Sequence, residues 1–271
     1  MEIVKLTSDN IENFSYPCML KKTRWVPNPQ HYRSMSISHL RKNIDGRIKG
    51  VVAIAHGKPI GYLFYGPLKG AGFPVQCSEE RINAIFCTTV DASWTRKGAG
   101  KAMVESAVED SKTTPGLLVL ATGTKMFMPI KPFLKLGFRQ IHDGEFWKIG
   151  YYPIQKESVQ VETYTPQLEW DYVKPFTFIT DDFCPLLIHL REEQMKIASK
   201  FQEQLPIEEI PFEEAVRKDE NVTPGFYLYG KQIPPGFLTG WRIKRFIKKT
   251  IRDESRKTFG TTSPTEYTKR R

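Results

Sequence analysis

The sequence predicts an α/β protein with two domains, and three observations lead to that prediction. The chain has 271 residues, enough to bury one large core or two modest ones. Segments with the periods of strands and of helices alternate along the first half and again after residue 175. Between them, YYPIQKESVQVETYTPQLEW loses its period and is rich in proline and polar residues, as linkers are. We therefore expect domains at residues 1–152 and 176–252, a linker at 153–175 and a basic, disordered tail at 253–271.

The first domain begins with a strand in EIVKLT and a helix start in TSDNIENF, which Thr7 or Ser8 would cap. The region from residue 17 to residue 46 is mixed, because Pro27 and Pro29 interrupt it. Two apolar strands then flank a Gly57-Lys58-Pro59 turn in GVVAIAHGKPIGYLFYGPL, which predicts a hairpin. RINAIFCTTV predicts a further strand.

A helix, a buried strand and a strand pair complete this domain. GKAMVESAVEDSK places four apolar residues on one face at helical spacing: Met103, Val104, Ala107 and Val108. GLLVLAT is a continuous apolar run, which is typical of a buried strand. PIKPFLKLG predicts a short helix that ends at Gly137, and FRQIHDGEFWKIGYY predicts a closing pair of strands.

The second domain follows as another β–α–β–β–α series. FTFIT and PIEEIPF predict strands, CPLLIHLREEQMKIASKFQEQ a helix, PGFYLYGKQIPPG a hairpin and TGWRIKRFIKKTIRD a final helix. That last helix carries an apolar stripe, Ile243, Phe246, Ile247 and Ile251, with cations opposite. We expect the stripe to pack on the sheet of its own domain.

The charge distribution argues against a general nucleic-acid binder. Of the formal net charge of +10, +8 falls between Trp241 and Arg271, where eleven Lys or Arg stand against three Asp or Glu. The rest of the chain is nearly neutral, so no basic groove is expected on its body.

Neither membrane insertion nor secretion is expected. The longest apolar runs are far shorter than a membrane span, and MEIVKLTSDN lacks the basic and apolar regions of a secretory signal. The four cysteines, Cys18, Cys77, Cys87 and Cys184, have no paired spacing, which argues against a disulfide framework or a zinc site. We expect a cytoplasmic protein without integral membrane association and without a metal.

The stretch TRKGAGKAM, Thr95–Met103, predicts an anion-binding turn. Two glycines precede a helix whose first amides have no partner inside it, and the helix dipole makes that end attractive to anions. Arg96, Lys97 and Lys101 add positive charge. The spacing is not that of a Walker A loop, and no third glycine completes a dinucleotide fingerprint. The alternative is an ordinary strand-to-helix turn.

Three motifs in order carry a resemblance. GKPIGY at 57–62, TRKGAG at 95–100 and FLKLGF at 133–138 resemble the hairpin turn, the pyrophosphate loop and the late segment of the GNAT superfamily of acyl-CoA N-acyltransferases. The resemblance covers roughly residues 1–150. It implies a mixed sheet flanked by helices, acetyl-CoA as co-substrate, and direct attack of an amine on the thioester.

The resemblance also implies where coenzyme A binds. The amides of the loop would hold its pyrophosphate, and the end of the preceding strand would pair with its pantetheine arm. The implied residues are Thr88, Thr89, Val90, Thr95, Arg96, Lys97, Gly98, Ala99, Gly100 and Lys101. Two positions depart from the family pattern: Thr95 replaces the usual Gln or Arg, and Phe133 replaces the tyrosine that often protonates the departing thiolate.

The general base has several candidates. An attacking ammonium must lose a proton, which a carboxylate or histidine near the central strand would accept. Glu79 and Glu80 precede that strand, Asp91 follows it, and His142 and Glu145 belong to the closing strand pair. For each of them the alternative is a solvated or salt-bridged surface residue. Cys87 is expected to be a small core residue.

The second domain resembles a thioredoxin-like fold of the YoaP-like kind. The resemblance rests on the strand FTFIT before DDFCP and on Thr223-Pro224 before a hairpin, and it covers about residues 176–250. It implies that Cys184 caps the first helix and that Pro224 is cis. CPLL lacks the second cysteine of a local disulfide, so Cys184 is either structural or a single reactive thiol.

The resemblance of the first domain implies an acetyl-CoA-dependent N-acetyltransferase acting on a small-molecule or peptidyl amine. Two alternatives stay open. One is a thiol-dependent redox protein that uses Cys184, and the other is a non-catalytic module that binds coenzyme A or docks a partner through its basic end.

Overall fold

The computed structural model describes residues 1–14, 28–44, 46–69, 71–122, 128–144, 147–169, 175–233 and 243–252. The chain forms two compact units. The first comprises Met1–Pro166, Asp181–His189 and Pro211–Pro224, and the second comprises Gln167–Thr180, Leu190–Ile210 and Gly225–Arg271. Two segments of the C-terminal half thus belong to the first unit. The predicted boundaries at residues 152, 175 and 252 stay predictions.

The first unit is built on a seven-stranded mixed sheet flanked by helices, which confirms the predicted fold class. In chain order its strands are β1 (Glu2–Lys5), β2 (Lys49–Ala55), β3 (Lys58–Pro67), β4 (Val75–Cys77), β5 (Asn83–Val90), β6 (Gly116–Thr122), β7 (Arg139–Asp143), β8 (Trp147–Pro153) and β9 (Val161–Thr163). The main sheet has the order β1-β2-β3-β5-β6-β8-β7, and β4 pairs with β9. Within the main sheet β5 and β6 are parallel, and every other pair is antiparallel.

The helices are α1 (Ile11–Phe14), α2 (Pro29–Asn43), α3 (Ala99–Asp110), α4 (Lys131–Leu134), α5 (Pro185–Ala198), α6 (Phe212–Lys218) and α7 (residues 243–252). The face predicted for α3 is confirmed, because Met103, Val104 and Ala107 are buried. They pack on one face of the sheet, while α2 covers the other with Ile37 and Leu40. Strand β6 is buried along its whole length and supplies side chains to both cores, which explains its continuous apolar run.

The second unit contains a four-stranded sheet with the order β11-β10-β12-β13. Its strands are β10 (Phe176–Thr180), β11 (Ile207–Pro211), β12 (Gly225–Leu228) and β13 (Lys231–Gln232). The rings of Phe178 and Phe226 stack with centroids 4.7 Å apart in its core. Ile243 and Ile247 of α7 are buried in that same core, so the apolar stripe of the final helix packs as expected.

Helix α2 lies in the region that the sequence predicts to be mixed. Its first residue is Pro29, and at that position a missing amide proton costs no helical hydrogen bond. Asn28 caps the helix by accepting a hydrogen bond from the His31 amide at 3.4 Å. Pro29 therefore starts the helix and does not break it. Residues 17–27 of the same region lie outside the described residues.

Strand β4 and two further short elements were not predicted. Strand β9 lies inside the predicted linker, where it pairs with β4 from Val161↔Cys77 to Thr163↔Val75. Helix α6 follows Pro211 directly and buries Phe212 and Ala215. Both are too short to show a period of their own, and each is stabilised by what it packs against.

Asp110 joins the end of α3 to the edge of the main sheet. Its carboxylate accepts hydrogen bonds from Lys49 Nζ of β2 at 2.7 Å and from Lys5 Nζ of β1 at 2.9 Å. Burial by itself would raise the pKa of Asp110, but the two ammonium groups outweigh it and lower the pKa from 3.8 to about 2. The charged carboxylate is therefore favoured by folding.

We predict that Asp110→Asn lowers the free energy of unfolding by about 1 kcal/mol at pH 7, after allowance for solvent screening. Since the folded-state pKa is depressed, this contribution is complete above about pH 4 and is lost as the pH falls toward 2. Denaturant unfolding of both proteins between pH 3 and pH 7 measures it. Glu105→Gln is the control, because the Lys101–Glu105 pair is exposed and 3.6 Å long. A difference between wild type and Asp110→Asn that does not change with pH contradicts the prediction.

Candidate active site

The main sheet opens between β5 and β6. The two strands pair in parallel at Asn83↔Leu117, Ala84↔Leu118 and Ile85↔Val119 and at no later residue, although β5 continues to Val90. On its other side β5 stays paired with β3 as far as Gly61↔Val90. The last residues of β5 therefore have a sheet partner on one side and an opening on the other.

A β-bulge marks the start of this opening. The register of β3 against β5 runs Phe64↔Cys87 and then Tyr65↔Ile85, so Phe86 is the extra residue on β5. A bulge increases local twist and bends the strand that carries it. It thus provides a physical reason for the divergence of β5 from β6.

The backbone of β5 presents donors and acceptors to the opening. The Asp91 amide donates to the Ile60 carbonyl at 2.7 Å, which fixes the side on which each residue of the strand bonds. Because neighbouring residues alternate, Thr89 faces β3, whereas Thr88 and Val90 face the opening with both their N–H and C=O groups. Of the three residues predicted to pair with an extended ligand, two thus lie on the open side.

The glycine loop is held in an unusual backbone conformation. Arg96 and Gly98 have φ values of 62° and 89°, and Gly98 caps α3. A Cβ atom at Gly98 would meet nothing within 4 Å, so its glycine is required by the positive φ and not by crowding. Such a turn directs successive amides toward the same side, as in anion-binding nests.

The first amides of α3 are not used by the helix itself. Ala102 N–H donates to the Gly98 carbonyl at 3.0 Å and is the first to bond within the helix. The amides of Ala99, Gly100 and Lys101 precede it. A Cβ on Gly100 would lie 3.8 Å from Val90 Cγ2, so this end of the helix lies against the end of β5. The amide cradle and the opening are therefore adjacent.

Cations surround the cradle. Arg96, Lys97 and Lys101 are exposed, and the Lys97 ammonium lies 4.9 Å from the centroid of the Trp94 ring. The Thr95 hydroxyl donates to the Ala92 carbonyl at 2.7 Å and so points back into the turn. The positive charge at this site therefore comes from residues that follow Thr95 in the chain and not from position 95 itself, where Thr95 replaces a longer polar residue.

Residues 14–138 match the model of the acetyltransferase (GNAT) family. This stretch is similar to acetyltransferases of the GNAT family. It contains the opening between β5 and β6 and the glycine loop, and the match supports an acyltransferase activity. The match does not reach residues 176–250, where the thioredoxin-like resemblance stays a prediction.

Three similar solved structures each match little more than half of the chain. Protein smu.2055 of Streptococcus mutans UA159 is 22% identical, with a TM-score of 0.40, and the match covers 57% of this chain and 99% of that one. The ribosomal-protein-S18-alanine N-acetyltransferase of Escherichia coli is 15% identical, with a TM-score of 0.40 and coverages of 58% and 96%. PaiA N-acetyltransferase of Thermoplasma acidophilum, in complex with coenzyme A, is 14% identical, with a TM-score of 0.37 and coverages of 56% and 99%. No curated protein matches the chain.

The candidate carboxylate bases next to β5 lie at opposite ends of that strand. Glu79 and Glu80 precede the strand and Asp91 follows it, about 26 Å away along the strand. Glu79 accepts a hydrogen bond from Lys156 Nζ at 2.6 Å. Asp91 caps the turn of residues 92–94 by accepting from the Ser93 amide at 2.9 Å. The structure does not bring these carboxylates together.

The remaining candidates have polar or buried surroundings. His142 Nε2 lies 3.4 Å from Thr163 Oγ1, and Glu145 lies outside the described residues. Phe133 is 4% exposed and packs on Phe138, so the position of the missing tyrosine is part of the core. Cys87 is buried, as expected, and its thiol donates to the Tyr62 hydroxyl at 3.6 Å.

Cys184 directly precedes α5, and its carbonyl accepts the Ile188 amide at 3.0 Å. It is half-buried and is not part of a disulfide.

The expectation of a cis bond at Pro224 is wrong, because the described part of the chain contains no cis peptide bond. The trans form is also the ordinary state of an X-Pro bond, which needs a specific tertiary constraint to become cis.

One buried charged cluster was not predicted. Asp181 forms ion pairs with His39 at 3.1 Å and Arg47 at 3.4 Å, all within the first unit. Burial raises the pKa of Asp181, and the two partners oppose that effect. Asp181 is more than 130 positions from His39 and Arg47, so no local pattern in the sequence indicates the cluster.

Among the residues that the structure describes, no helix is long and apolar enough to cross a membrane. The same residues contain no group of three or more His, Cys, Asp or Glu side chains able to hold a metal ion.

Asp91 offers a test of capping against proton transfer. We predict that Asp91→Asn keeps acetyl transfer within about threefold of wild type, because an amide oxygen caps the turn as a carboxylate does. Asp91→Ala should destabilise the turn by about 1 kcal/mol and weaken acetyl-CoA binding. Steady-state kinetics and melting curves of both variants measure this. Loss of turnover in Asp91→Asn with the acetyl-CoA KM unchanged would instead make Asp91 the base.

Proposed function

We propose that the protein transfers the acetyl group of acetyl-CoA to a primary amine by direct attack. The observation that carries the proposal is the opening beside β5 with the amide cradle of α3 at its end. The amides of Ala99, Gly100 and Lys101 at the start of α3 hold the pyrophosphate, and the neighbouring cations neutralise its charge. The pantetheine arm extends along Thr88 and Val90 like an added strand.

The same backbone supports the chemistry. An amine attacking the thioester carbonyl produces an oxyanion, and a backbone N–H aimed into the opening stabilises it. A donor of this kind contributes roughly 10²–10³ in rate. Coenzyme A leaves as a thiolate, and a thiol with a pKa of about 8.5 is a fair leaving group, so a buried Phe133 at the tyrosine position is compatible with turnover.

Coenzyme A binding is tested with Gly100→Glu. We predict that millimolar acetyl-CoA raises the melting temperature of the wild type by several degrees through mass action. Gly100→Glu should keep the fold, because its Cβ makes an ordinary contact and a carboxylate is favourable in the first turn of a helix. It should lose most of the shift, since the carboxylate occupies the cradle and repels the phosphates.

Thr113→Glu is the matched control. It adds the same side chain at an exposed position beyond the other end of α3, about 18 Å away along the helix. An equal melting shift in wild type and Gly100→Glu would contradict the placement of the pyrophosphate, and no shift in the wild type would contradict acetyl-CoA as the co-substrate.

The redox alternative depends on Cys184, which stands at the start of α5. We predict that Cys184→Ser leaves kcat/KM for acetyl transfer within about twofold, because the thiol takes no part in direct attack. Acetylation is followed by release of coenzyme A, and disulfide reduction is assayed on the same preparations. Loss of both acetyl transfer and disulfide reduction in Cys184→Ser would favour the redox alternative. The wild type is the reference for both the acetyl-transfer assay and the disulfide-reduction assay.

A further inference from the structure

A row of aromatic rings lies on the sheet face opposite α3. It consists of Phe64, Phe183, Phe86, Phe73 and Trp147, and we call it the aromatic wall. Successive ring centroids are 5.3, 5.3, 5.6 and 5.8 Å apart, within the range of aromatic contacts. All five side chains belong to the first unit.

The wall extends from one side of the opening to the other. Phe86 is the bulge residue of β5, where that strand leaves β6. Trp147 of β8 pairs with Thr122, the last residue of β6. Phe73 contacts both rings and so connects the two sides. The wall therefore borders the place where the proposed thioester lies.

The sheet face that carries the aromatic wall is the face available to the second substrate. Helix α3, whose first turn forms the cradle, packs on one core, whereas the rings of the wall pack on the core of the opposite face. A carrier whose pyrophosphate is held at α3 enters the opening from the α3 side. The acceptor then approaches from the side of the wall.

Phe183 comes from beyond the family match, which ends at residue 138. Asp181 holds it in place, because its carboxylate accepts the Phe183 amide at 3.0 Å and is itself paired with His39 and Arg47. The charge of Asp181 is thus paired with His39 and Arg47. What the segment offers to a ligand is an aromatic surface.

The wall is only partly covered. Phe64 and Phe86 are buried, whereas Phe73, Trp147 and Phe183 are half-buried. Rings that keep part of their surface exposed beside a reaction site bind flat apolar groups by offset or edge-to-face contact. An aliphatic or highly charged ligand gains less from such a surface.

We propose that Phe183 determines acceptor specificity, and that the acceptor is a primary amine carried on an aromatic body. This rests on the proposed acetyl transfer. The aromatic body packs on the wall, and its amine nitrogen attacks the acetyl carbon. A C–N bond forms, the C–S bond breaks, and the proton lost by nitrogen goes to the coenzyme A thiolate. The products are the N-acetyl amine and coenzyme A.

The experiment compares 2-phenylethylamine with ethylamine, which has the same chain without the ring. For the wild type we expect kcat/KM to be at least about tenfold higher with 2-phenylethylamine. Phe183→Ala should lower that value about tenfold, mainly through the amine KM, and leave ethylamine turnover and the acetyl-CoA melting shift unchanged. Phe183→Leu keeps apolar volume and should lose the same preference, which separates ring recognition from misfolding.

Phe201→Ala is the control, because Phe201 is a half-buried ring of the second unit. It should leave the ratio of the two amines unchanged. Equal kcat/KM for the two amines in the wild type, or an unaltered ratio in Phe183→Ala, overturns the proposal.

Binding of 2-phenylethylamine alone, measured by saturation-transfer NMR, separates this proposal from the proposed function. An acetyl-CoA melting shift without binding or acetylation of 2-phenylethylamine overturns the aromatic acceptor and leaves the acetyltransferase standing. Binding that Phe183→Ala removes, in a protein that shows no acetyl-CoA shift, overturns the acetyl transfer and with it the assignment of this site to an acceptor.

Discussion

The unequal pairing of one strand is the constraint on which this structure depends. Strand β5 is bonded to β3 along its length and to β6 for only three residues. Backbone donors and acceptors need partners, and a strand inside a sheet normally supplies them on both sides. Where β6 has diverged, Thr88 and Val90 present these groups to whatever enters. The site is thus a defined gap in a hydrogen-bonded ladder, built by a bulge at Phe86 and not by a loop.

The neighbouring elements keep this gap in register with the amide cradle. Asp91 caps the turn that leaves β5, Gly98 adopts the positive φ that starts α3, and Gly100 lies against Val90. At the far end of the helix, Asp110 is tied to two lysines of the sheet edge. A helix held at both ends keeps its first amides in fixed positions, as the proposed binding of a pyrophosphate without reorganisation of the site requires.

The C-terminal half supplies two segments, residues 181–189 and 211–224, to the first unit. A separate domain that merely followed the first one in sequence would supply none. Residues 181–189 return to the sheet face opposite α3, anchored by the ion pairs of Asp181 and by a contact of 3.1 Å between His189 Nδ1 and the Tyr32 hydroxyl. Burying a charge is costly unless its partners are well placed, so such a cluster specifies one arrangement more than it adds stability. The arrangement it specifies here places Phe183 against Phe64 and Phe86.

The sequence by itself determined the strands of the main sheet, the glycine loop and the face of α3, because these depend on neighbours within a few residues. Alternation, helical spacing and the conformational freedom of Gly98 are local properties. It did not determine α2, because Pro29 signals a break unless the position of the helix start is known. Strand β9, helix α6 and the trans Pro224 likewise depend on what packs against them.

Only the tertiary structure decided which side of β5 is open and which side chains border it. The divergence after Ile85 follows from pairings between strands that are more than 30 residues apart, and no composition or spacing in either strand encodes it. The position of Phe183 depends on ion pairs that join residues 39, 47 and 181. Contacts of this kind form only when distant segments are buried together, since charges in the unfolded chain are screened and solvated and gain little from meeting.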